Sequence, residues 1–338
     1  MIDLVSDTAT RPSPAMKQAM VDALLGDEQK GEDPTVRALE ERMASMLGME
    51  CALFVVSATM GNQIALALHA GAGDEVICHR NAHVLNHESG GTSMTSRAQL
   101  YPLDTPRGVF DVDDVVRATR VDDPHYARTR CVVVENTSNG GGGCVWPLET
   151  YDSLVAHCAA AGIAVHIDGA RLFNAAVASG HSVLRLSTGA TTAQVCFSKG
   201  LGCPFGAVLA MPKALAPRAR RLKQALGGCL RQGGVIAGAM LWALDHNIAR
   251  LAEDHARARA LGQGLVGLPG VQVEPVQTNL VFFRSSVLAP NLLVERMLAL
   301  GVRVAVAGPD RIRACLHLDV DDAGVEQALA AARAALRG

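Results

Sequence analysis

Short apolar runs bounded by polar or glycine-rich segments recur along the chain. They read CALFVV (51–56), DEVICH (74–79), RCVVVEN (130–136), IAVHID (163–168), AQVCFS (193–198) and GAVLAM (206–211). Runs this short and this rich in Val and Ile predict strands. Between them lie alanine-rich or amphipathic stretches of helical spacing: GNQIALALHA (61–70), ETYDSLVAHCAAAG (149–162) and ALAPRARRLKQALG (214–227). Strands joined by helix-length connections predict an α/β fold with a mostly parallel central sheet, because parallel neighbours need a crossover. Ligands in such sheets bind beyond the C-terminal strand ends.

From about residue 245 the pattern changes. A charged helix, NIARLAEDHARARALGQGLVGL, leads into the strand-like TNLVFFR and the helical NLLVERMLALG. VRVAVAG, RIRACLHLDV and a closing helix follow. The expected organisation is an N-terminal segment with a large domain over 1–245 and a small C-terminal α+β domain over 246–338. No internal repeat is evident.

Composition narrows the function. The 338 residues are 49% hydrophobic and 19% charged, with a net charge of −2. No basic face dominates, so no nucleic-acid partner is expected; the cluster RARRLK (218–223) reads as a solvated helix face. No apolar stretch reaches the length of a membrane span, so no membrane partner is expected. The nine cysteines form no C-x-x-C pair, and MIDLVSDTATRP lacks the basic and apolar regions of a signal peptide. Reduced thiols and a cytoplasmic location are the expectation.

The strand ends carry the candidate chemistry. CALFVV runs into SATMGNQ (57–63), where helix-starting N–H groups and the hydroxyls of Ser57 and Thr59 suit a phosphate, although such a turn can also be only a cap. IAVHID ends on Asp168, with Arg171 close behind; the carboxylate either caps the next helix or partners a cationic ligand nitrogen. Lys199 follows AQVCFS and opens the glycine-studded turn SKGLG. A lysine beside apolar residues is either paired or chemically used. Together these are what pyridoxal phosphate needs: an amine for its aldehyde, a carboxylate for its ring nitrogen and a cradle for its phosphate. His79, His83 and His87 are spaced like one helix face, but His79 closes the DEVICH run, so no metal site is expected there.

These motifs resemble the low-specificity L-threonine aldolases, within the fold-type I pyridoxal-phosphate enzymes. The resemblance runs nearly end to end, through DLVSDTATRPSPAM, GEDPTVRALEERMASMLG, SATMGNQIA, DEVICHRNAHV, VVVENTSN, VHIDGARLFNAA, FSKGLGCPFGAVL and LRQGGVIAGAM. It implies Lys199 as the Schiff-base lysine, Asp168 as partner of the pyridine nitrogen, and His83 as the residue stacked on that ring near the substrate hydroxyl. Ser57, Ala58 and Thr59 would lie on the phosphate turn, and Arg231 would reach a neighbouring subunit's cofactor site. Ser6, Arg171 and Arg313 would hold the amino-acid carboxylate. The implied reaction is cleavage of a β-hydroxy-α-amino acid to glycine and an aldehyde, by a homotetramer built as a dimer of dimers. The chain departs from the pattern where Lys30 replaces a tyrosine and Ser138 replaces a histidine expected near the β-hydroxyl. Ala58 stands for a glycine, Val5 for an arginine and Gln224 for a basic residue. Lys30 and Ser138, as expected active-site positions, leave β-elimination, racemisation or transaldolation as the alternative.

Overall fold

A computed structural model describes residues 1–337. Seven strands make the large sheet: β1 (Cys51–Val55), β2 (Asp74–His79), β3 (Gln99–Leu103), β4 (Arg128–Glu135), β5 (Ala164–Gly169), β6 (Thr192–Cys196) and β7 (Ala207–Met211). Their order across the sheet is β1-β7-β6-β5-β4-β2-β3. The sheet is mostly parallel, as the alternation predicts; β7 alone runs against its neighbours β1 and β6. The reason lies in the connection: β6 reaches β7 through the loop 197–206, which holds no crossover helix, so the strand reverses. The edge strand β3, QLYPL, does not show in the hydrophobic pattern because Pro102 and exposed positions interrupt it. Proline is tolerated at an edge, where the missing N–H costs no inner ladder bond.

Helices cover both faces. Helices α1 (Pro34–Leu47), α3 (Leu148–Ala161) and α4 (Gly234–His246) pack against one face, around Leu39, Met43, Phe54, Leu154, Ile167 and Met240. Helix α2 (Ala58–His69) covers part of the other, with Ile64 and Leu68 against Leu53, Val55 and Leu209. The buried Asp33 caps α1, accepting from Thr35 N and Val36 N through Oδ1 at 3.1 and 3.0 Å. Its Oδ2 accepts from Gly26 N and Gly234 N, so one carboxylate ties the loop before α1 to the start of α4.

The C-terminal module has its own antiparallel sheet of β8 (Val271–Val273), β9 (Leu280–Ser285), β10 (Ala305–Val306) and β11 (Ile312–Cys315), in the order β10-β11-β9-β8. Helices α5 (Leu251–Val266) and α6 (Asp322–Arg337) pack on it through Leu261, Leu265, Val325 and Ala328. Leu4 belongs to this second core, and Ile2–Asp3 pairs in parallel with Val302–Arg303. The first four residues thus pack on the small module, while Met16 and Met20 further along belong with the large-domain core. Among the described residues no helix is long and apolar enough to cross a membrane, and the nine cysteines are free thiols.

Just after that segment, Asp7 joins the modules. It is fully buried and accepts from Arg171, at the end of β5, by two bonds of 2.7 Å each. Asn279 of the small module donates to the same carboxylate at 3.1 Å. Burial alone would raise the Asp7 pKa, but the Arg171 charge and its hydrogen bonds hold the carboxyl well below the usual range. Such a group stabilises the fold above the ordinary carboxylate pKa and loses that contribution as acid protonates the folded form. Asp7→Ala leaves a buried, unpaired guanidinium, so urea unfolding at neutral pH should show a loss of about 3–5 kcal/mol. A loss within the range of an ordinary surface substitution would refute this assignment.

Candidate active site

The turn between β6 and β7 sets Lys199 in place. Phe197 N donates to Gly206 O at 3.0 Å, and Gly202 N donates to Lys199 O at 2.8 Å. Gly202 and Gly206 have φ of +77° and +112°, conformations that side chains disfavour, so the tight reversal depends on glycine at both positions. The half-buried Lys199 lines a cavity of about 290 Å³. Ser6, Thr8, His83, His87, Glu135, Thr137, Asn139, Ala170, Arg171 and Arg313 complete its wall.

Asp168 ends β5 and is buried behind this wall, 1% exposed. Its oxygens accept from Asn62 Nδ2 at 3.0 Å and Ala170 N at 3.2 Å. The same Asn62 nitrogen donates to Glu88 Oε1 at 2.8 Å. Ionised carboxylates only accept, so the amide orientation is forced and Asn62 Oδ1 must face His166 Nε2, 3.0 Å away, which carries the hydrogen. His166 Nδ1 then accepts from Thr192 Oγ1, and that oxygen accepts from His69 Nε2, both at 2.9 Å. Burial keeps both imidazoles neutral, lowering His166 to about 4 and His69 to about 3. Every hydrogen in this chain points towards Asp168.

His83 opens the one-turn helix His83–Asn86 after β2. Its backbone N donates to Glu135 Oε2 at 2.7 Å, and its Nδ1 lies 2.8 Å from Glu88 Oε1. The Glu88 bond raises the pKa of His83. Glu135, at the end of β4, also accepts from Asn139 N at 2.7 Å; burial, and then the charge of Asp168, push it up to about 7. Nitrogen and oxygen atoms of His83, Glu88 and Asp168 lie within 4.8 Å of one another, and hydrogen bonds among themselves and from Asn62 already engage them. His79 faces elsewhere, with Nε2 3.0 Å from Thr105 O, so the three histidines do not converge.

On the opposite wall two guanidiniums meet. Arg171 Nη1 and Arg313 Nη1 both donate to Asn139 Oδ1, at 3.4 and 3.3 Å. Arg313 Nη2 donates to Val5 O at 2.8 Å, while its buried Nε has no partner. Burial, together with the Arg171 charge, lowers the Arg313 pKa. Surplus positive charge with a free donor makes this corner fit a carboxylate, whose two oxygens match the guanidinium fork. Ser6 lies beside it, its Oγ accepting from Thr8 N and Oγ1.

The residues fit the cofactor expected from the sequence. Ser57 caps α2, its Oγ accepting from Met60 N at 3.1 Å, and Ala58 and Thr59 form the first turn with their N–H groups free for a phosphate. Thr137 Oγ1 is buried in the cavity wall without a partner. Asp168 supplies the polarised carboxylate and Lys199 the amine.

Ser57, Ala58 and Thr59 do not themselves line this cavity, and the remaining expected residues do not line it either. Lys30 is exposed at the end of the turn Glu28–Lys30, and Arg231 is exposed beside Asp27, Nη1 to Oδ2 3.5 Å. Gln224 is exposed. Ser138 is buried but turned from the cavity: its Oγ accepts from Gly141 N at 3.3 Å and presses so closely on Gly108 that a Cβ there would overlap it. Sequence reasoning did not assign Asp7, Asn62, Glu88, Glu135, Thr137 or Asn139. Glu135 closes an apolar run just as Asp168 does, a signal that could have found it.

Comparison with known proteins agrees with this geometry. The beta-eliminating lyase family model matches residues 3–287. Low-specificity L-threonine aldolase 1 of Arabidopsis thaliana is 38% identical, over 97% of this chain and 94% of that one. The low specificity L-threonine aldolase of Escherichia coli K12 is 38% identical over 95% of each chain. Among solved structures, the threonine aldolase of Leishmania major superposes with a TM-score of 0.85 at 20% identity, covering 99% of this chain and 100% of that one, which shows a shared fold. The chain belongs to the beta-eliminating lyase family, in the group that contains the low-specificity L-threonine aldolases.

Proposed function

We propose that the protein is a pyridoxal-phosphate lyase that cleaves a β-hydroxy-α-amino acid of the L-threonine, L-allo-threonine or phenylserine type to glycine and an aldehyde. One observation carries the reading: Lys199 and the Arg171–Arg313 pair line the same cavity, with Asp168 directly behind it. The guanidiniums hold the substrate carboxylate and so fix which bond at Cα faces the reacting centre. Ser6 and Thr8 border that corner. His83, held by Glu88 and Glu135, lines the cavity and would stack on the cofactor ring. The polarised chain ending at Asn62 holds the Asp168 carboxylate in one orientation. Bound pyridoxal phosphate supplies the electron sink for the breaking Cα–Cβ bond.

Ser138 does not line the cavity and Lys30 is exposed on a turn beside Arg231, so the aldolase reading rests on Lys199 and the arginine pair. Incubation with L-threonine, L-allo-threonine and phenylserine should release equimolar glycine and aldehyde, and Lys199→Ala should lower the rate by about 10³-fold or more. Ammonia, or an exchanged aldehyde, without glycine from any of the three would overturn the reading.

The oligomer and its compartment belong to the same proposal. Arg231 is exposed and paired only loosely with Asp27, as suits a side chain offered to a neighbour's phosphate turn. We read the assembly as a homotetramer, a dimer of dimers, in the cytoplasm, where the nine free thiols stay reduced. Mixed assemblies of Lys199→Ala and Arg231→Ala subunits should regain activity that neither variant has alone, because the Arg231→Ala subunit keeps its lysine and borrows its partner's arginine. No recovery on subunit exchange would place Arg231 outside the shared site.

A further inference from the structure

Cleavage of a β-hydroxy amino acid needs an acceptor for the hydroxyl proton. Ser138, expected at that hydroxyl, has its Oγ turned towards Gly108 and Gly141. His83 is poorly suited as well: Nδ1 is bound to Glu88, and that bond raises its pKa, so the ring tends to keep a proton rather than take one. One turn further along stands a second imidazole. His87 is exposed, lines the cavity with Lys199, and makes no side-chain hydrogen bond among the described residues. Its ring centre lies 5.5 Å from that of His83, with the planes tilted by 51°.

A second cavity, of about 520 Å³, is also lined by this ring. Asn86, Phe282 and Arg311 line it, and it shares His87, Asn139 and Arg313 with the first. The two spaces thus adjoin at His87, Asn139 and Arg313. A substrate with its carboxylate on Arg171 and Arg313 and its amino group at Lys199 has the second cavity as the space for its β-substituent, and the β-carbon then passes beside His87.

We propose that His87 is the general base that takes the β-hydroxyl proton, and that the adjoining cavity receives the side chain released as the aldehyde. The proposal rests on the aldolase reading. The O–H proton moves to a ring nitrogen of His87, and the oxygen's electron pair closes the aldehyde C=O. The Cα–Cβ bond breaks, its pair stays with the α-carbon, and the returning proton completes glycine. No oxidant, reductant or other co-reactant is needed.

The surroundings favour the proton-accepting form. Partial desolvation, and then the neighbours His83 and Arg313, lower the His87 pKa, against a smaller opposing effect from Glu88. Arg171, Arg311 and Lys199 add positive charge from other elements, and Glu135 faces from across the first cavity. The ring is therefore neutral, and ready to accept, at neutral pH and above.

Glycine separates this role from the rest of the site, because it uses Lys199 and the arginines but has no β-hydroxyl. In His87→Phe, kcat for retro-aldol cleavage should fall at least about 100-fold. The acid limb of kcat/KM should disappear, and added imidazole should restore part of the rate of His87→Ala. The dissociation constant of glycine, read from the cofactor's absorbance, and the exchange of its α-proton into deuterated water should both stay within about threefold of wild type. Retro-aldol cleavage within about threefold of wild type in His87→Phe would overturn the proposal. So would loss of glycine binding and exchange along with cleavage, since His87 would then be structural. Wild-type enzyme that exchanges glycine but cleaves no β-hydroxy amino acid would overturn the aldolase reading itself.

Discussion

The site depends on the buried pairing of Asp7 with Arg171. The carboxylate comes from the N-terminal segment and the guanidinium from the end of β5, while Asn279 reaches the same carboxylate from the small module. A buried ion pair of this kind contributes little net stability compared with an apolar replacement, but breaking one side of it is expensive. Its value here is geometric. With Nε and Nη2 engaged, Arg171 presents Nη1 to the cavity, next to the Arg313 that the small module contributes. The carboxylate corner is therefore assembled from three separate parts of the chain.

The other half of the site is organised by direction rather than charge. Asn62 donates to two carboxylates, which forces its oxygen onto His166, and from there every hydrogen bond back to His69 has one possible polarity. Neutral, desolvated imidazoles let the chain act as a fixed dipole aimed at Asp168. Lys199 is placed by different means, through a glycine turn that reverses β6 into β7. The antiparallel strand in an otherwise parallel sheet is thus the structural consequence of bringing an amine to the strand ends.

Much of this is visible in the sequence because its physics is local. Strands buried on both faces must be apolar throughout, so CALFVV, IAVHID and AQVCFS stand out, and Asp168 and Lys199 are conspicuous as polar residues at their ends. β3 escapes because Pro102 breaks its pattern at an edge where that costs little. The Asp7–Arg171 pair escapes for another reason: its partners are 164 positions apart and no periodicity joins them. Side-chain direction is hidden in the same way. Ser138 and Lys30 fall at expected active-site positions, yet the buried serine hydroxyl accepts from Gly141 N beside Gly108, and the turn Glu28–Lys30 leaves the lysine in solvent. His87 shows as a spacing, but only the fold sets it at the meeting point of two cavities.

The central claim is that this fold brings one particular amine to a cofactor aldehyde. Borohydride reduction of the purified protein loaded with pyridoxal phosphate, followed by peptide mass mapping, tests it directly. The account predicts a single pyridoxyl-phosphate adduct on Lys199, blocked when Lys199 is replaced by alanine. An adduct on any other lysine, or none in a protein that still cleaves its substrate, would contradict it.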